Sequence, residues 1–287
     1  MPGIKNILAV VADAESGRVP METAFVLGRG LQCHVQVLHV RPDPAQAVPL
    51  VGEAMSGAMV DEMMQVAERE GKQRAEACRA LFEDFCGRYA IPVAVEPPGL
   101  GELTAEYRVE TGAEDEVVAT QGRVADLVVL GRGNAETEAS AMVTLHTALM
   151  ESGRPVLVAP PEAPTAIGGT VAIAWNGSAE AARAVTGAMA LLVQARQVVL
   201  LIANEDDGGA SATDLVTHLA WHKVICQTRQ VPADGNTGAA LLKAAGEVGA
   251  DLLVMGAYTH SRLRQLIIGG VTRHVLEHAR LPVLLSH

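Results

Sequence analysis

Residues 251–287, DLLVMGAYTHSRLRQLIIGGVTRHVLEHARLPVLLSH, decide the fold. The run Leu252, Leu253, Val254, Met255 is short, continuous and apolar, as suits a strand buried on both faces of a parallel sheet. Gly256 ends the run and frees the backbone to turn. A basic loop with His260, Arg262 and Arg264 follows, and Gly269-Gly270-Val271-Thr272 opens a helix predicted to reach about Ala279. Pro282 stops that helix, and 283–285 make a closing strand.

A helix that begins at two glycines presents bare backbone N–H groups and the positive end of its dipole, which suits an anion. Thr272 adds a hydroxyl in the first turn. Between Gly256 and Arg280 stand four arginines and one acid, Glu277, in a chain of formal net charge -11. Phosphate is the natural guest of such a local basic excess. The bland alternative is a glycine helix cap with solvated arginines.

Working outward, 287 residues fit two domains of ordinary size. Hydrophobic residues make up 49% and aromatic ones 3%, so the cores are aliphatic. The acidic balance argues against a nucleic-acid partner. No apolar run reaches 18 residues, so no membrane span is expected, and the N-terminus reads as a first strand rather than a signal peptide. Cys33, Cys78, Cys86 and Cys226 show no CxxC spacing and fit free thiols in a reducing cytosol. A cytoplasmic location follows as an expectation.

The pattern of strands and helices runs twice. Strands are predicted at 4–12, 34–40, 91–96, 126–130 and 155–159, with helices at 22–31, 60–89, 108–122 and 137–151. Pro160-Pro161 through Gly168-Gly169 reads as a linker. Strands then recur at 170–175, 198–203, 224–231, 252–255 and 283–285, with helices at 179–193, 211–221 and 237–248 before the last. ADLVVLGRG at 125–133 echoes ADLLVMGAY at 250–258, and GRPVLVAP at 153–160 echoes RLPVLLSH at 280–287. The expected architecture is α/β: two tandem, doubly wound, five-stranded parallel sheets, in domains 1–160 and 168–287. Ligands of such sheets sit beyond the carboxyl ends of the strands, where the strand order reverses. If the first and fourth strands flank that reversal, Trp175-Asn176-Gly177-Ser178 faces Gly256 across one crevice.

On these residues the chain resembles the universal stress protein family, in its tandem, two-copy form. The family's nucleotide signature is Gly, two residues, Gly, nine residues, Gly, then Ser or Thr. Here Gly256 is followed by Thr259 in place of the second glycine, then by Gly269, Gly270, Val271 and Thr272. The segment IAWNGSAEAARAV at 173–185 is similar to the family's first strand and helix, with Asn176 where an Asp contacts adenine or ribose. Thr259 carries a Cβ that disfavours a left-handed backbone, and Asn176 keeps hydrogen-bonding capacity without the carboxylate.

The resemblance implies a Rossmann-like fold of the adenine nucleotide alpha hydrolase type and an ATP-like adenine nucleotide, with Mg as its accompanying cation. It implies contacts to base and ribose from Ala174, Trp175 and Asn176, and to phosphates from Gly256, Arg262, Gly269, Gly270, Val271 and Thr272, with Met255 and Thr259 also at the nucleotide. It also implies a stress-response role and an intrachain pseudo-dimer of the two copies; a homodimer of tandem chains is compatible with it. In the first copy, Gly131 is followed by Asn134, and Ala141, Met142 and Val143 stand where the later glycines belong, so no nucleotide is expected there. The alternative is a nucleotide-free interaction protein of the same fold, acting through its dimer surface. A slow ATP hydrolase ranks last, since His260 is the sole candidate base beside the glycines.

Other motifs carry less. Gly131-Arg132-Gly133 begins like a dinucleotide fingerprint, but Glu136 at the third glycine position would repel pyrophosphate. The pairs His218/His222 and His274/His278 lie four apart on helix faces, and zinc would need a further ligand. No metal site and no catalytic set is therefore expected.

Overall fold

A computed structural model describes residues 3–47, 56–96, 102–133, 137–203, 209–232, 235–257 and 269–287. The first half contains β1 (Asn6–Val10), α1 (Arg18–Leu31), β2 (His34–Arg41), α2 (Gly57–Tyr89), β3 (Thr104–Thr111), α3 (Glu114–Gly122), β4 (Leu127–Leu130), α4 (Glu138–Glu151) and β5 (Val156–Val158). The second contains β6 (Thr170–Trp175), α5 (Ala179–Leu192), β7 (Gln197–Ile202), α6 (Ala212–Trp221), β8 (Cys226–Gln230), α7 (Thr237–Glu247), β9 (Leu252–Gly256), α8 (Gly270–His278) and β10 (Val283–Ser286).

Strand order is β3-β2-β1-β4-β5-β10-β9-β6-β7-β8. Read from its outer edge, each half has the same order, and every pairing within a half is parallel. The two expected five-stranded sheets are thus present, but they join into one ten-stranded sheet. The junction is antiparallel, with Val158 opposite Val283, Leu157 opposite Leu284 and Val156 opposite Leu285. Both strands are fully buried, and the residues they pair are all apolar. Leaving either as a bare edge would strand its backbone donors and acceptors, and the pairing satisfies them.

The strands bury both faces, as their unbroken apolar runs require. Ile7, Ala9, Val35, Ile173, Leu200 and Val254 share one cluster with residues of α1, α2, α5 and α6. Their neighbours in sequence, such as Leu8, Leu38, Ala172, Val199 and Leu253, share the other with residues of α3, α4, α7 and α8. Among the described residues, no helix is long and apolar enough to cross a membrane.

Two elements differ from the sequence reading. The third strand is not 91–96, and the helix does not begin at 108. Val93 and Val95 are 61% and 76% exposed, and 91–96 contributes a single bridge, Val93 to Ala105. The strand is β3, paired in register with β2 from His34↔Thr104 to Arg41↔Thr111. As an outer strand it is half solvated, so TAEYRVET carries polar residues that obscure the strand pattern. The helix starts only at Glu114, after Gly112 at φ +152°.

The repeated Ala-Asp-Leu motif has a structural job. The Asp251 carboxylate accepts hydrogen bonds from the amides of Gly168 (2.8 Å), Gly169 (2.9 Å) and Thr170 (3.2 Å), fixing the start of β6. Asp126 does the same for β1, accepting from the amides of Lys5 at 2.7 Å and Asn6 at 3.0 Å. Each carboxylate ties the entry of a half's first strand to the foot of its fourth. Charge-assisted bonds of this kind are the stronger ones. Asp251→Ala is expected to lower stability by about 2 kcal/mol, measured as a lower urea midpoint with unchanged slope, while an unshifted midpoint would remove this role.

Candidate functional site at the strand reversal

In each half the order reverses between the first and fourth strands: β1 lies beside β4, and β6 beside β9. The crevice beyond their carboxyl ends is where the fold exposes backbone and loops. Ala174 pairs with Met255 across the second crevice, and both pack on the side of α7 and α8. Asn176 lies one residue past β6, and its side-chain carbonyl accepts from the Ser178 amide at 3.2 Å. Ser178 caps α5, accepting from the Ala181 amide at 3.2 Å. Gly177 takes φ +81°, and a Cβ there would lie 2.8 Å from the Ala210 carbonyl oxygen.

Trp175 is 4% exposed, and its indole N–H donates to the Ala210 carbonyl at 3.1 Å. Its ring is therefore a core group, and only its backbone faces the crevice end. Gly256 ends β9, as expected, but for a packing reason. Its φ is not left-handed; instead, a Cβ would meet the Ala181 amide nitrogen at 2.6 Å and the Glu180 carbonyl carbon at 2.8 Å. Glycine is required because the start of α5 is pressed onto the end of β9.

Returning from β9 to its parallel neighbour β10, α8 begins at the carboxyl edge of the sheet. Its N-cap is Gly269, with no side-chain cap and no acid in the first turn. Among the described residues, a Cβ added at Gly269 or Gly270 would meet nothing within 4 Å. Among the described residues, neither packing nor a left-handed φ demands glycine at these two positions. Val271 is 37% exposed, whereas Thr272 is 5% exposed and turns into the protein. Arg273 is held by Glu277 at 2.7 Å, so it points along the helix rather than reinforcing its start. Thr259, His260, Arg262 and Arg264 lie outside the described residues. The fold thus gathers Ala174, Trp175, Asn176, Met255 and Gly256 at the reversal and sets the Gly269–Thr272 turn at the same edge.

The first half's crevice is built differently. A cavity of about 30 Å³ lies there, lined by Ser16, Gly17, Glu114, Gly131, Gly133 and Thr144 among others. That is room for about one water, far below the roughly 300 Å³ of a small-molecule pocket. Burial pushes the Glu114 carboxyl above its ordinary range, against a hydrogen bond donated by the Thr144 hydroxyl at 2.9 Å. Asp13 goes the other way: burial raises it, but bonds from the Ser16 hydroxyl and from the amides of Ser16 and Glu15, with Arg74 nearby, hold it low. Arg132 donates from Nε to the Ala159 carbonyl at 3.1 Å, while one terminal nitrogen is buried without a partner among the described residues. Sequence spacing gave no sign of Glu114, which comes to the crevice only through the packing of α3 against α4.

Histidines and cysteines form no further centre. His218 and His222 meet edge to face at 4.9 Å, and His274 and His278 stack at 4.2 Å. Among the described residues, no group of three or more His, Cys, Asp or Glu side chains could hold a metal. All four cysteines are free, and burial pushes their thiols up to about 12 for Cys33 and Cys78 and about 11 for Cys86 and Cys226.

Residues 202–287, which carry α8 and its glycines, match the model of the Universal stress protein family. This stretch is similar to universal stress protein sequences. Among solved structures, a universal stress protein from Archaeoglobus fulgidus DSM 4304 aligns at TM-score 0.65 and 16% identity, over 98% of this chain and 95% of that one. A protein described as a universal stress protein, from Pseudomonas aeruginosa UCBPP-PA14, aligns at TM-score 0.53 and 15% identity, over 99% and 93%. At such identities the likeness is one of fold, and it takes in both halves of the chain. No curated protein matches by sequence.

Glu114 gives the universal stress protein fold here a proton-linked term. Its folded pKa is raised, so the contribution is fully present below the unfolded value and is lost as pH rises through the folded value. Urea midpoints taken from about pH 4 to about pH 8 should fall more steeply in wild type than in Glu114→Gln. Parallel profiles would show that this carboxyl is not the source.

Proposed function

We propose that the C-terminal half, 168–287, binds an ATP-like adenine nucleotide, and that the chain is a tandem universal stress protein with a stress-response or regulatory role. The observation that carries this reading is the uncapped, glycine-opened start of α8, at the carboxyl edge where β6 and β9 mark the strand reversal. Backbone amides of Gly270, Val271 and Thr272 would receive phosphate oxygens, with Arg262 as a clamp and Mg as counter-charge. Ala174, Asn176 and the backbone of Trp175 would meet base and ribose; Met255, Gly256 and Thr259 would border the phosphates. Nucleotide would bias the loop between Gly256 and Gly269, and through it a partner or a second tandem chain. The first half, 1–160, would serve as the intrachain partner, its crevice narrowed by Glu114, while the nearby carboxylate of Asp13, bonded to Ser16, opposes phosphate.

Asn176 supports a second reading. Its carbonyl is already engaged by the Ser178 amide, so it has less accepting capacity for a ribose hydroxyl than a carboxylate would have. A nucleotide-free interaction protein would use the same fold without filling this crevice. Native mass spectrometry separates the two, because a retained nucleotide adds its own mass.

Calorimetry with magnesium ATP tests the main reading. Saturable heat is expected in wild type, with at least about a tenfold loss of affinity in Gly270→Glu. The same substitution should favour the helix by about 0.5 kcal/mol through its dipole, so lost binding would not reflect lost structure. No heat in wild type, or equal affinity in the variant, would reject the assignment.

A further inference from the structure

The β5–β10 junction creates a second cleft, of about 560 Å³, within the range of small-molecule sites. Its walls come from both halves. Arg154 and Pro155, at the entry to β5, face Arg183, Thr186 and Gly187 of α5, and His287 follows β10. None of the residues assigned above to nucleotide lines it.

Three features set this cleft apart from an ordinary groove. First, every ionisable side chain lining it is basic, in a chain of net charge -11. Second, the arginines are lightly engaged. Arg154 donates from one terminal nitrogen to the Arg123 carbonyl at 2.8 Å. Arg183 is 55% exposed and reaches Glu180 at 3.4 Å. A guanidinium offers five N–H donors, so both retain capacity for an oxyanion. Third, the floor between them is apolar and closely built. An added Cβ at Gly187 would lie 2.9 Å from the Pro155 Cβ, so α5 seats against the other half at this point. Nearby His146 is lowered in pKa by burial first and by His287 second, against Glu151, which raises it.

We propose that this seam cleft binds a small organic oxyanion, an apolar body with one phosphate or carboxylate head, gripped by the guanidinium groups of Arg154 and Arg183. Each arginine belongs to a different half, so the ligand bridges the junction. The apolar body covers Pro155 and Gly187, and the head meets the two cations that line the cleft.

Calorimetry with hexyl phosphate, hexanoate and inorganic phosphate tests this. At least one of the two amphiphilic probes should bind saturably and more tightly than inorganic phosphate, and the tighter of the two identifies the head group. Arg154→Ala combined with Arg183→Ala should weaken it by about tenfold, while magnesium ATP behaves as in wild type. Hydrogen exchange on the wild-type protein provides a reading that needs no variant: the probe should protect 149–155 and 182–187. No saturable heat, undiminished binding in the double variant, or protection confined elsewhere would overturn the proposal. Loss of ATP binding alone would leave it standing.

Discussion

Three residue pairs, Val158 with Val283, Leu157 with Leu284 and Val156 with Leu285, hold the two halves of the sheet together. Everything else is arranged by that antiparallel contact. It removes two apolar edges that would otherwise invite pairing with another chain. It turns one half relative to the other, so both strand reversals are kept while their crevices open separately. It also brings α5 of the second half onto Pro155 of the first, which makes the seam a place where two chemically different surfaces meet.

The halves share a frame but not a site. Asp126 and Asp251 pin equivalent strand entries, and β1–β4 and β6–β9 make equivalent reversals. Beyond the strands they diverge. One crevice is narrowed to about 30 Å³, with a buried, proton-seeking Glu114 and an ionised Asp13. The other ends in a helix whose first turn is glycine and carries no acid. Size and charge together make these surfaces opposite in preference: a narrow crevice beside the Asp13 carboxylate disfavours an oxyanion, while bare helix amides attract one.

Much of this frame was legible in the sequence. Continuous apolar runs such as 252–255 and 198–202 are buried strands, because nothing but a doubly covered sheet hides them. The double echo of Ala-Asp-Leu and of Pro-Val-Leu marked the repeat. What escaped was β3, since an outer strand needs no apolar face on its open side, and TAEYRVET looks like neither element. The joining of two sheets into one also escaped, because pairing between β5 and β10 depends on spatial order rather than on local pattern. At the site, glycines were easy to find and hard to interpret. Gly256 is a contact glycine for α5, Gly177 a left-handed one, and Gly269 and Gly270 are neither. Trp175 read as a ligand contact, yet its ring sits in the core; burial of an indole cannot be told from spacing. Glu114 and Arg132 had no signal at all, because their surroundings are made by helices distant in sequence.

The central claim is that one crevice of two accepts a nucleotide. Backbone amide NMR during titration with magnesium ATP addresses it most directly. The account predicts that the Gly256, Gly270, Val271 and Thr272 amides shift and saturate together, while Gly131, Gly133 and Thr144 stay in place. Shifts centred on the Gly131 side, or none at either crevice, would contradict it.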